Sequence, residues 1–232
     1  MTFWRWKAPV YSFARRHLPL FRHLLAAEKN NLAKLVQQLP PLSGVHLDLG
    51  SGTGDHLSIL PAAPKRVAVD LDLAMLKRNS NSCRLIARAE ALPFVNESCS
   101  FVSAIGLLEY LDDGENFFNE ARRVLRAEGY FLFTSSPPHW ANRIRLVWGE
   151  KLHFYSEQRL RDILTANGWR VIGHERSWLQ EQWLVGRAAS PNLKTYLAGS
   201  ARTFSSSVFT RCFKSAMAAP LDLLLASRSR SS

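Results

Sequence analysis

Cysteine is scarce in this chain of 232 residues: Cys83, Cys99 and Cys212 stand far apart and in none of the paired spacings that zinc sites use. That pattern implies neither a disulfide framework nor a structural metal, and it fits a reducing compartment. Long apolar runs are absent too. No stretch reaches the ~18 uncharged apolar residues that span a bilayer, and no apolar run follows Arg5 and Lys7 at the start, so a cytoplasmic protein is expected. Glycine (12) and proline (11) are too few and too scattered for a collagen-like or low-complexity chain. No Gly-Lys-Ser/Thr triplet occurs anywhere, which excludes a P-loop.

Acidic residues are outnumbered, 19 against 30, for a net charge of +11. The excess sits at the two ends. Residues 1–30 carry six lysines and arginines against Glu28, and residues 187–232 carry seven against Asp222; between them 17 basic and 17 acidic residues cancel. A neutral central domain with basic arms suits an anionic partner, either a membrane surface or a nucleic acid, or the arms serve solubility. The 47% hydrophobic content excludes disorder and supports a full globular core.

From residue 45 to 188 short apolar runs alternate with helical stretches, the pattern of a parallel sheet covered by helices. Strands are expected at 45–50, 66–72, 84–89, 100–106 and 129–136. Helices are expected at about 54–60, 73–80 and 114–127, the last with Gly129 as its stop. After Pro137 and Pro138 an aromatic and basic connection runs to Tyr155, too long for an ordinary turn. A serine-capped helix then covers 156–168, and 169–178 with 181–188 read as antiparallel neighbours. One or two helices are expected in residues 1–40. In the tail, Val208, Phe209, Cys212, Phe213 and Met217 share one face of an amphipathic basic helix.

The chemical signal lies at 46–54, HLDLGSGTG, where a buried strand runs into Gly50, Gly52 and Gly54. Glycines at such a turn allow positive φ and let backbone N–H groups come close to a ligand. The dinucleotide fingerprint needs its third glycine where Asp55 stands, so NAD is disfavoured. About twenty residues on, Asp70 ends the second strand, where a carboxylate accepts both hydroxyls of a ribose. An unphosphorylated nucleoside is implied.

Those residues, followed by VAVDLDLAML (67–76), AEALPF (89–94), SFVSAIGLLEYLDD (100–113) and RRVLRAEGYFLFTSS (122–136), resemble the class I S-adenosylmethionine-dependent methyltransferases over about residues 44–188. The resemblance implies a Rossmann-like α/β fold: a seven-stranded, mostly parallel sheet ending in an antiparallel hairpin, with helices on both faces. It divides the chain into an N-terminal helical segment (1–43), a cofactor-binding domain (44–188, with a substrate-side insertion at 137–155) and a basic C-terminal extension (189–232). It implies S-adenosylmethionine as cofactor and no metal. Asp48, Gly50, Ser51, Gly52 and Gly54 would surround the amino-acid moiety; Asp70 would hold the ribose. Leu71 would flank the adenine, Ala89 and Glu90 would edge it, and Gly106 would close the site from the fourth strand. Two positions depart from many relatives, Arg88 and Val102 standing where those have Asp.

Methyl transfer from a sulfonium needs alignment and exclusion of water more than a catalytic residue. An acceptor that loses a proton needs a base, for which His139 and Tyr110 stand first, with His153 and Tyr155 behind them. Trp140, Trp148, Phe154 and Tyr155 alternate with Arg143, Arg145 and Lys151, and the N-terminal segment repeats that mixture. It suits an apolar, lipid-like acceptor or a peripheral position on an anionic membrane. Two alternatives stay open: an RNA-modifying enzyme whose basic arms grip phosphates, and a non-catalytic cofactor-binding partner subunit. Against the first, base-N-methylating members of the superfamily carry an Asn/Asp-Pro-Pro-aromatic motif where this chain reads IGLLEY.

Overall fold

A computed structural model describes residues 19–81, 83–143 and 151–188. Its elements in order are α1 (Pro19–Val36), β1 (Val45–Leu49), β2 (Lys65–Asp70), α2 (Leu73–Leu76), β3 (Cys83–Ile86), β4 (Cys99–Ala104) and a 3-10 turn (Leu108–Tyr110). Then come α3 (Gly114–Val124), β5 (Leu125–Ser135), α4 (Trp140–Arg143), α5 (Glu157–Ala166), β6 (Trp169–Arg176) and β7 (Glu181–Arg187). The expected tail helix and the aromatic and basic residues of 1–18 lie outside the described residues, as do Arg145 and Trp148.

The seven strands form one sheet in the order β3-β2-β1-β4-β5-β7-β6. β1 through β5 run parallel, while β7 pairs antiparallel with both β5 and β6. This is the Rossmann-like seven-stranded sheet with its closing hairpin. β1 is buried at every residue, as expected of a parallel strand covered on both faces.

Alternation along β5 divides the core. Leu132 joins Phe101 and Leu184 in a cluster with Leu32 and Leu35 of α1 and Leu60. Phe131 and Phe133, pointing the other way, meet Phe117 and Phe118 of α3 with ring centroids 5.2–6.2 Å apart. Phe117, Phe118, Ala121 and Val124 recur at helical spacing and are all buried in α3. Each Phe so buried stabilises the fold by about 1.5–3 kcal/mol.

Three sequence expectations are corrected. Residues 54–60 form successive turns rather than a helix, with Leu57 N–H donating to Gly54 O and Ile59 N–H to His56 O. Seven residues before Pro61 are too few to offset helix nucleation, and the residue preceding a proline disfavours α geometry. α2 covers 73–76 rather than 73–80: Asp72 caps it, but Asn79 and Ser80 favour local side-chain bonding over helix continuation. α3 ends at Val124 because Leu125 turns to ψ 136°, pairs with Cys99 and is buried in the sheet. Gly129 is thus inside β5, pressed against the Leu125 side chain, and is not a helix stop.

Candidate functional site

Strand order reverses between β1 and β4, which makes the crevice outside their carboxyl ends the place where open α/β sheets bind ligands. Gly50, Gly52 and Gly54 lie there with φ of 62°, 50° and 82°, and Gly106 leaves β4 at 69°. All four are left-handed, a region costly to residues with a Cβ. Space distinguishes them. A Cβ on Gly50 or Gly54 would strike Leu107 or Leu57 at 2.8 and 2.7 Å; on Gly52 it would come no closer than 3.8 Å to Met75, and on Gly106 it would meet nothing within 4 Å. A Cβ at Gly50 or Gly54 therefore crowds a leucine side chain, while Gly52 and Gly106 have open space beside them.

The turn is held from three sides. Ser51 N–H donates to Val69 O, Gly52 N–H donates to Asp70 Oδ2 at 2.8 Å, and Asn79 Nδ2 donates to Gly52 O at 3.1 Å. Asp70 Oδ1 also accepts from Asp72 N–H. A carboxylate has about four acceptor positions, so each oxygen of Asp70 keeps one for a hydroxyl. Leu71, the next residue, is 54% exposed.

Asp48 is buried at the end of β1 and accepts from Ser103 Oγ at 2.6 Å. Burial raises its pKa to about 6, against the opposing pull of Ser103 and Arg66. On the same face, Arg66 Nε donates to His46 Nδ1 at 2.9 Å, and His46 Nε2 lies 2.8 Å from Ser103 Oγ. Burial and then Arg66 push the imidazole down to about 3. Sequence reading took 45–50 as apolar and missed His46, Arg66 and Ser103; the only signal was a histidine and a serine inside runs that should be apolar.

Ala89 is buried, and Glu90 extends its carboxylate to Arg88 at 3.0 Å, so one of its oxygens is engaged. Gly106 N–H donates to Thr134 Oγ1 at 2.7 Å, fastening the ends of β4 and β5 together. His139 is half-buried just beyond β5, its ring 5.6 Å from those of Trp140 and Trp178. Tyr110 ends the 3-10 turn after β4 and is half-buried. Glu109 beside it, missed in the sequence, is 1% exposed and accepts from Ser136 Oγ at 3.1 Å. His153 and Tyr155 serve differently: their N–H groups donate to Glu109 O and Ser136 O, clasping residues 151–155 onto the strand ends.

Glu157, His174 and Glu181 also converge, on the side of α5 and β6. Arg161 and Arg176 each place a nitrogen 2.8 Å from one of the two carboxylates. Two guanidiniums balance two carboxylates, which leaves no surplus negative charge for a cation.

S-adenosylmethionine fits the crevice on one further observation. Ser51 Oγ, inside the glycine turn, is buried with no hydrogen-bond partner, and buried polar atoms are seldom left so. With Asp48 and the turn it offers acceptors and donors to an amino acid, while Asp70 and Leu71 offer a diol acceptor and an apolar face.

Residues 47–133 match the family model described as a methyltransferase domain. The malonyl-[acyl-carrier protein] O-methyltransferase of Marinomonas sp. is 30% identical over 167 residues, 65% of this chain and 62% of that protein. The chain thus spans less than two thirds of this curated relative. Among solved structures, a SAM-dependent methyltransferase of Thermotoga maritima superposes with a TM-score of 0.62 at 17% identity, over 81% of this chain and all of that one. Magnesium protoporphyrin IX methyltransferase of Synechocystis, solved with bound SAH, gives 0.59 at 11% identity over 73% and 88%. These last two are likenesses of fold.

Proposed function

We propose that this chain, whose residues 47–133 match a methyltransferase-domain family model, is a class I S-adenosylmethionine-dependent methyltransferase that transfers a methyl group to a small, hydrophobic or lipid-like acceptor. The observation that carries this is the left-handed glycine turn bonded to Asp70 at the strand switch, with an orphaned Ser51 hydroxyl inside it.

The cofactor, when bound, supplies an electrophilic methyl on a sulfonium. Asp48 and the Ser51 hydroxyl would hold its amino-acid end beside the glycine turn, Asp70 its ribose, and Leu71, Ala89 and Glu90 its adenine; Gly106 leaves room beside it. The chain's own task is to align the acceptor and exclude water. For a hydroxyl or ammonium acceptor, His139 takes the proton, with Tyr110 of the 3-10 turn after β4 as the second candidate. A carboxylate acceptor, as the name of the Marinomonas relative indicates for that protein, has no proton to lose and needs no base.

Trp140 is 64% exposed and Trp178 48%, with rings 6.1 Å apart at the carboxyl edge of the sheet where an acceptor enters. Side-by-side exposed indoles favour an apolar acceptor or its presentation at a bilayer surface. No helix among the described residues is long and apolar enough to cross a membrane. The test is transfer of labelled methyl from S-adenosylmethionine into lipid extract, into acyl-carrier-protein thioesters and into RNA, each with wild type and Trp140→Ala. Label in a lipid or acyl fraction, reduced in the variant, supports the reading; label in RNA alone contradicts it.

A further inference from the structure

The chain of side chains behind Asp48 has a direction. A guanidinium only donates, so Arg66 Nε leaves His46 Nδ1 unprotonated and the imidazole proton on Nε2. That proton points to Ser103 Oγ, and Ser103 is left with its single hydroxyl proton for Asp48 Oδ1. Arg66 itself is anchored by a bond from Nη2 to Pro61 O. The chain begins at the half-buried start of β2 and ends at the cofactor crevice, crossing β1 and β4 on the way.

Buried polar groups cost stability unless paired, and an apolar set would fill the same volume without that demand. Departures from an apolar core are expected at functional or strained sites. Ser103 held as a donor favours the ionised form of Asp48; a serine free to rotate would equally accept from the protonated form.

Resting on the reading of the crevice as an S-adenosylmethionine site, we infer that Arg66, His46 and Ser103 are positioning residues that hold Asp48 as a carboxylate for the cofactor's ammonium group, and that cofactor affinity therefore falls in mild acid. The charged and titratable groups acting on Asp48 are Arg66 and Asp70 from β2 and His46 from its own strand, with the Ser103 hydroxyl from β4. Ser103 and Arg66 favour its charge, while burial and Asp70 oppose it.

The experiment is calorimetric titration of S-adenosylmethionine from pH 5 to pH 8.5 into wild type, Ser103→Ala, Ser103→Thr and Arg66→Met, with thermal unfolding of each at pH 8.5. The cofactor's own groups titrate identically in all four. Wild type binds tightly at high pH and weakens below the Asp48 midpoint. Ser103→Ala moves that midpoint upward by about one pH unit, about tenfold weaker binding on the acid limb. Arg66→Met, at a partly exposed position, moves it the same way, and Ser103→Thr restores it. A role in folding alone would lower the unfolding temperature and leave the midpoint in place. That result, or flat wild-type affinity across the range, overturns the inference while the cofactor reading stands. Folded wild type that fails to bind at pH 8.5 overturns both.

Discussion

Gly52 N–H donates to Asp70 Oδ2 at 2.8 Å, so the carboxylate that ends β2 also fixes the turn that ends β1. Fold and site share this bond. In Asp70→Asn one oxygen becomes an NH2 that cannot accept, and either Gly52 or Asp72 loses its partner. The expected result is a loss of about 1–3 kcal/mol in urea unfolding and at least about tenfold weaker S-adenosylmethionine binding by calorimetry.

Gly106→Ala separates site from fold. Its Cβ meets nothing within 4 Å, so the cost is confined to left-handed backbone, about 1–2 kcal/mol. In the proposed cofactor complex the same methyl would occupy the approach. Thermal unfolding is expected to shift by a few degrees without ligand, and the stabilisation added by S-adenosylmethionine is expected to disappear. Gly50→Ala, which strikes Leu107, is expected to unfold at lower temperature than Gly106→Ala.

Asp48→Asn is expected to trade function for stability. The wild-type group is raised from 3.8 to about 6 in the folded state. Its contribution to stability is fully present below 3.8 and lost as pH rises through about 6. At pH 7.5 the buried charge therefore opposes folding, and its removal is expected to stabilise the chain by about 1–3 kcal/mol. The gain shrinks below pH 5, where Asp48 is already neutral. Denaturant unfolding at pH 7.5 and 4.5 measures the difference, and calorimetry is expected to show lost cofactor affinity.

The glycine turn and Asp70 were legible because each stands at a strand end with fixed spacing, and the strands because burial on both faces demands apolar runs. The hairpin was legible from the short gap between 169–178 and 181–188. Helix ends were less so: Leu125 leaves α3 for the sheet because tertiary burial outweighs local propensity. His46 and Ser103 lie 57 residues apart in sequence, and His46 and Arg66 lie 20 apart. Nothing local announces such a pairing. The same holds for Thr134 with Gly106 and for Asn79 beneath the turn, whose partner Gly52 is 27 residues away.

Arg123 holds the segment that follows β3. Its guanidinium donates to Leu92 O, Phe94 O and Asn96 Oδ1 and pairs with Glu120, which accepts from Leu92 N–H. Arg123→Met removes all of these donors and releases the loop that carries Ala89 and Glu90. A destabilisation of about 2–4 kcal/mol is expected. Hydrogen exchange at 89–97 is expected to rise above that of β1 and β4, and adenine recognition to weaken with it.

The most direct test is calorimetric titration of S-adenosylmethionine at pH 8 into wild type and Asp70→Ala, each verified as folded by circular dichroism. Saturable micromolar binding at one site in wild type, absent from the variant, is the expected result. Absence of binding to the wild type, or equal affinity for both proteins, would contradict the assignment of the β1–β4 crevice as the cofactor site.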